Sequence, residues 1–362
     1  MPFEELFAEA ERQLNICNSC RYCAGYCPVW PALELRTELG RADITHLANL
    51  CHDCQDCFTA CMYTPPHEFG VNPPAVFSSV REDTYRRYVW PQHSPAWLRG
   101  RVGLGVAFAA VAALLVLLSF ATGRGEVFAG PTRGSAYELV SHTLMVVVVA
   151  VPALVSVLTL ARAAWLYWRD IHGPLAPLLD LPSWRSTLRQ VATLRHQTGG
   201  AEGCSYPEGE PSAVRRRFHH LVMYGFLLTF ISTTSAAILE QFFDAQPPYP
   251  YLSVPVLTGL VGGVAATAGC SGLIVLKRRS DHLQSTEGMR RADYAMLWAL
   301  LLLMLTGLVV LFGRSTIIFA PALVVHLAAV VVAFAVAPYT KFVHWIYRLL
   351  SVHKDNVERG NR

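Results

Sequence analysis

The chain has 362 residues, of which 53% are hydrophobic and only 15% charged, against about 25% charged in an ordinary soluble protein. Its 30 Lys and Arg offset 26 Asp and Glu to a net charge of +4, with the arginines gathered beside apolar segments, which excludes a nucleic-acid-binding protein and a soluble enzyme of two or three domains. Charge concentrates in residues 1–100 and in two later loops. The expectation is therefore a mainly α protein: a small head over 1–90, a linker over 91–101, a six-span membrane domain over 102–350 and a tail over 351–362.

In chain order, Glu4 to Ile16 has helical periodicity, with Leu6, Phe7, Ala10 and Leu14 on one face. No apolar signal segment is legible in Met1 to Leu14. The stretch Cys17 to Cys61 then holds eight of the ten cysteines. They form two runs of one spacing, C-x2-C-x2-C-x3-C: Cys17, Cys20, Cys23, Cys27 and Cys51, Cys54, Cys57, Cys61. This is the spacing of two-cluster ferredoxins, in which three thiolates of one run and the fourth of the other hold each [4Fe–4S] cube. The expected sets are Cys17, Cys20, Cys23 and Cys61 for one cluster, and Cys27, Cys51, Cys54 and Cys57 for the other. Disulfides suit exported scaffolds and zinc sites use paired cysteines, so both competing readings fit the triplets less well. Ala42 to Leu50 and Ala32 to Leu39 read as helices, and no alternating strand pattern is seen, so the two-cluster ferredoxin head is expected to be helical. Residues 64–100, rich in Pro, Arg and aromatics, read as a linker along a membrane surface.

Six apolar segments follow, each near the roughly 20 residues needed to span a bilayer. They run over about 102–121, 139–165, 220–239, 254–276, 295–312 and 317–337, the last expected to continue past Pro338 to Leu350. The loops 168–217 and 277–291 carry the arginines and lysines, and the alternate loops carry few. The positive-inside rule then puts the head, both basic loops and the C-terminus on the cytoplasmic side of a bacterial cytoplasmic membrane. Loop 168–217 reads as a flexible surface loop or as a docking face for a soluble partner. Glycines 259, 262, 263, 269 and 272 suggest close helix packing in the fourth segment.

Of the thirteen histidines, His142, His219, His220, His326 and His344 lie in or at the edge of apolar segments, where an ionisable side chain marks function by default. His326 and His344 are 18 residues apart, five turns of a helix at about 3.6 residues per turn, so on one continuous helix they would share a face about 27 Å apart. By topology, His142 pairs with His326 at the outer level, and His220 or His219 with His344 at the inner level. Facing histidines in a helix bundle make axial pairs for b-type haem, one or two of them. Cys204 and Cys270 read as plain thiols, and His52 as a group near the cluster rather than a ligand. No phosphate loop, nucleophile constellation, flavin motif or nicotinamide motif is present, so no catalytic residue is assigned.

The stretch Ile16-Cys17-Asn18-Ser19-Cys20-Arg21-Tyr22-Cys23-Ala24-Gly25-Tyr26-Cys27 resembles the head of the tricarballylate-utilisation protein B, or CitB-like, family. So do Arg217-Phe218-His219-His220-Leu221 with Tyr224-Gly225-Phe226, and Pro338-Tyr339-Thr340-Lys341-Phe342-Val343-His344. The resemblance implies an iron–sulfur and haem membrane protein. It would reoxidise a reduced FAD-dependent flavoprotein dehydrogenase, which converts tricarballylate to cis-aconitate, and pass the electrons to the quinone pool. Two other readings stand beside it: a membrane subunit of a heterodisulfide-reductase-like complex, and a redox sensor or assembly protein without turnover.

Overall fold

The computed structural model describes residues 3–92, 101–122, 137, 141–198, 203–205, 209–280 and 283–360. Most of the expected linker, 93–100, and the first residues of the expected second span lie outside them. The fold is mainly α, and no strand occurs among the described residues.

The head is built from α1 (Phe3–Cys20), α2 (Val29–Leu33), α3 (Arg41–Leu50), α4 (Asp56–Thr59) and α5 (Pro73–Arg87). The apolar stripe of α1, Leu6, Phe7, Ala10 and Leu14, is buried against Trp30, Leu33, Ile44, Leu47, Phe77 and Val80. Helix α1 runs on beyond Ile16 and carries Cys17 and Cys20 on its last turn. The helix expected over Ala32 to Leu39 is shorter and earlier: α2 starts directly after Pro28 and ends at Leu33. Part of the expected 64–100 linker is instead α5. Asn72 caps it by accepting from Ala75 N at 3.2 Å, and Pro73 and Pro74 occupy the first turn, where no N–H is needed.

Six long apolar helices follow: α6 (Arg101–Ala121), α7 (His142–Asp170), α9 (Val214–Phe243), α10 (Val254–Arg279), α11 (Glu287–Gly313) and α12 (Phe319–Val336). Each is long and apolar enough to cross a membrane. Exposed side chains such as Val106, Leu117, Leu154, Leu158, Phe230 and Val261 clad their outer faces, as contact with lipid requires. Helix α10 lies between α9 and α11, and α12 packs on α11, α6 and α7. The α9–α10 contact depends on small residues: a Cβ on Gly225 would lie 2.6 Å from Ala266 N, and one on Gly262 2.7 Å from Gly225 O.

The sixth span does not continue to Leu350. Helix α12 stops at Val336, and two short 3-10 turns, Ala337–Tyr339 and Lys341–Val343, break the axis at Pro338. Proline cannot donate to the helical ladder and crowds the preceding turn. Thr340 then accepts from Phe342 N at 3.3 Å and redirects the chain. His326 and His344 therefore do not share one helix face. The chain resumes as α13 (His344–Gly360), an amphipathic helix that returns into the head. Residues 351–360 are thus not a free tail. Ser351, Val352 and His353 are fully enclosed, and Val352 joins the head core. Arg36 binds Glu358 Oε2 at 2.9 Å, and Arg359 donates to Pro28 O at 3.1 Å.

The basic stretch 168–217 is also structured. It contains α8 (Leu181–Ala192), capped by Asp180 and packed on α13, where Trp184 stacks on His353 with ring centroids 4.0 Å apart. The head consequently sits on the end of the bundle where α7 and α10 finish and α9 and α11 begin. Asn72 donates to Leu283 O, and Thr286 Oγ1 to Glu82, across that junction.

Candidate electron-transfer centre

The cysteine loops fold so that thiols from distant runs gather in two sets. Burial, followed by the neighbouring Cys61, Cys23 and Cys20, pushes the Cys17 thiol up to about 12. Burial and then Cys61 and Cys20 raise Cys23 to about 11. In the other set, Cys57 is raised by burial and by Cys27 and Cys51. Cys61 thus neighbours Cys17 and Cys23 of the first run, and Cys27 neighbours Cys51 and Cys57 of the second, while Cys57 also lies near Cys17 and Cys23. Such raised thiols are poor places for thiolate charge alone. Bound cations would supply the compensation they lack.

The loops have the strain expected of a ligand cradle. Arg21, Asp53 and Gln55 are non-glycine residues in the left-handed region, at φ 55°, 57° and 70°. Backbone amides point at sulfur, with Asp53 N 3.4 Å from Cys51 Sγ and Tyr63 N 3.3 Å from Cys61 Sγ. Among the described residues no three His, Cys, Asp or Glu side chains converge on one ion. A cubane gives each thiolate its own iron, so four thiols spread around a shared space suit it better than convergence on a point. Ten unpaired cysteines and a cavity of about 560 Å³, open mouth included, lined by Cys17, Cys20, Cys23, Cys57 and Cys61, fit that donor chemistry.

Cys204 is not an isolated loop thiol. It is buried, donates to Gln197 O at 3.3 Å and hydrogen-bonds with Cys54. The segment carrying it covers the second set, and Ser205 N donates to Asp56. Spacing had no means of finding Cys204, because it lies 143 residues past the last cysteine of the runs (204 − 61).

The histidines resolve less symmetrically than topology suggested. At the head end, His219 faces His344 edge to face, with ring centroids 6.5 Å apart. His220 turns away toward α8: its ring lies 5.8 Å from Tyr224, whose hydroxyl donates to Ala192 O. His344 Nδ1 lies 2.6 Å from Lys341 O. A carbonyl only accepts, so Nδ1 carries the hydrogen and Nε2 keeps its lone pair for a metal. Burial, then Arg348 and Lys341, hold His344 near 3, and it stays neutral. The buried Nδ1 of His219 has no hydrogen-bond partner.

At the other end His142 and His326 have separate hydrogen-bonding partners. His142 is exposed, with Nε2 3.4 Å from Glu240 and its ring 5.4 Å from that of Tyr137, which also bonds Glu240. His326 points instead at α11: its Nδ1 lies 3.0 Å from Thr306 Oγ1, and a Cβ on Gly307 would be 3.1 Å from its ring. Thr306 donates to Leu302 O, so it accepts from Nδ1 and leaves the Nε2 of His326 available too. A largely buried charge group joins α10, α11 and the turn before α13: Asp293 binds both Lys277 and Lys341.

A helical head holding eight thiols, seated on six helices long and apolar enough to cross a membrane, is compatible with a multi-pass protein of the iron–sulfur type. The chain belongs to the citrate utilization protein B family: the model of that family matches residues 96–362, and that of its Fer4-like domain matches residues 10–87. It is 36% identical to citrate utilization protein B of Escherichia coli over 354 residues, 97% of this chain and 92% of that one. No solved structure matches.

Proposed function

We propose that this chain is the membrane-bound electron carrier between a reduced FAD-dependent dehydrogenase, of the tricarballylate dehydrogenase type, and the quinone pool. Cys17, Cys20, Cys23 and Cys61 would hold one [4Fe–4S] cluster, and Cys27, Cys51, Cys54 and Cys57 the other. His219 and His344 would hold a b haem, and His326 offers an imidazole deeper in the bundle. Bound there, these groups would supply one-electron carriers. The protein residues bind and orient them, exclude water and tune their potentials. Basic loops at the head end support a cytoplasmic head and C-terminus in a bacterial cytoplasmic membrane.

The observation that carries the reading is the placement of the His219–His344 pair directly behind the second cysteine loop, with Arg348 of α13 donating to Cys51 O at 2.7 Å. A ferredoxin on an inert anchor has no need of neutral imidazoles there. The test is the reduced-minus-oxidised absorbance spectrum of the anaerobically purified chain, with iron and haem measured on the same sample. About eight non-haem irons and sharp b-type bands are expected. Eight irons without haem bands would remove the haem, and a chain without iron would remove the whole reading.

A further inference from the structure

The two thiol sets have different electrostatic surroundings. The first lies at the solvent side of the head, where Cys20 is exposed and Tyr22 and Met62 are each 61% exposed. The second lies deeper, with Cys51 and Cys54 buried and Cys27 and Cys57 half-buried, and three guanidinium groups from remote parts of the chain grip its loop. Arg81 of α5 donates to Ala48 O at 3.0 Å and to the Cys51 thiol. Arg215, at the start of α9, donates to Asp53 O and to His52 O. Arg348 donates to Cys51 O, and its Nε is buried without a partner. Asp53 and Asp56 are the acidic groups of the same loop: Asp53 lies 3.5 Å from Arg81, and Asp56 accepts from Ser205 N. Three cations thus face two carboxylates.

Arg348 also lies one turn beyond His344 on α13, at the i+4 position that places two side chains on one face. It therefore joins the carbonyl of a cluster cysteine to the helix face of the inner imidazole pair.

Resting on the proposed function, we infer that the set Cys27, Cys51, Cys54 and Cys57 is the side of the head from which electrons leave for the membrane, and that Arg348 is the residue that positions it and raises its potential. A nearby positive charge favours the more negative, reduced state of a cluster, and hydrogen bonds around the ligands act in the same direction. The enclosed set becomes the better electron acceptor, adjacent to His344. The exposed set remains the more reducing one, on the side a donor can reach.

The experiment is an anaerobic redox titration of the full chain with clusters and haem loaded, followed by electron paramagnetic resonance. Two cluster signals are expected, and the one that persists in Cys20→Ala belongs to the enclosed set. In Arg348→Gln the midpoint potential of that signal falls and the other is unmoved, while Arg348→Lys restores most of the fall. Arg215→Gln, on a different helix, shifts the same signal in the same direction and serves if Arg348→Gln does not fold. Unmoved midpoints, or a shift confined to the signal lost in Cys20→Ala, overturn the inference. A sample lacking two cluster signals in the unaltered chain overturns the proposed function instead.

Discussion

His219 and His344 lie 125 residues apart in the chain (344 − 219), yet their rings meet edge to face at 6.5 Å at the junction of head and bundle. The neighbouring His220 is one residue from His219 but on another face of α9, and it packs with Tyr224. Replacing His219 or His344 by Ala is expected to abolish most haem absorbance. His220→Ala should retain it. Haem content of the three purified variants, measured as the pyridine complex, decides the assignment, and loss of haem in His220→Ala alone would reverse it.

Cys20→Ala should remove one cluster, lowering iron from about eight to about four per chain, and stop electron transfer to quinone. Cys204→Ala should keep both clusters, since four thiols already serve each. Because Cys204 bonds with Cys54, its loss should still alter the spectrum of the enclosed cluster alone. Iron analysis of Cys204→Ala at half the normal value would show that Cys204 is itself a ligand.

The last helix is part of the head. Ending the chain after Leu350 removes Val352 from the head core and the Arg36–Glu358 ion pair, which is largely buried on the Arg36 side. The truncated protein is expected to assemble in membranes with little cluster iron. A milder core change, Leu47→Ala at a fully buried site, should cost about 2–5 kcal/mol of head stability. Full iron retention after truncation would mean that α13 is dispensable to the head.

Asp293 accepts ion pairs from both Lys277 and Lys341 with little exposure of its own side chain. Asp293→Asn removes the carboxylate that both ammonium groups share. Removing one partner of a buried pair costs about 3–5 kcal/mol, so the thermal midpoint of the solubilised protein should fall by several degrees or more. An unchanged midpoint would show that both lysines reach water in the variant.

Acid should weaken the head. Burial holds His46 well below its ordinary value of 6.5, helped by Lys354 and Arg36, and holds His196 down to about 4, helped by Arg195. Below pH 6.5 the unfolded chain therefore binds more protons than the folded one. Stability falls as pH drops from about 6.5 toward 4, by up to about 1.4 kcal/mol per pH unit for each histidine. His46→Gln combined with His196→Gln should flatten that slope in denaturant titrations run at several pH values. A slope equal to that of the unaltered chain would place its origin elsewhere.

Much of this protein is legible in one dimension. The cysteine spacing points to iron–sulfur chemistry because cluster ligation needs several sulfurs on short, fixed steps. The six apolar runs are legible because a bilayer demands length and hydropathy regardless of neighbours. The glycines of α10 announce close approach because only a missing Cβ permits it. What only the tertiary structure decided is which distant residues meet. Periodicity extended the last span through Pro338, but the backbone breaks there, so His344 belongs to a helix that returns to the head. Tertiary packing sets His219 rather than His220 against it, turns His326 to Thr306, and brings Cys204 to Cys54. It also draws Arg81, Arg215 and Arg348 onto one loop. None of these pairings has a period or a spacing. Each follows from where long-range burial places a side chain, a property of the packed chain as a whole.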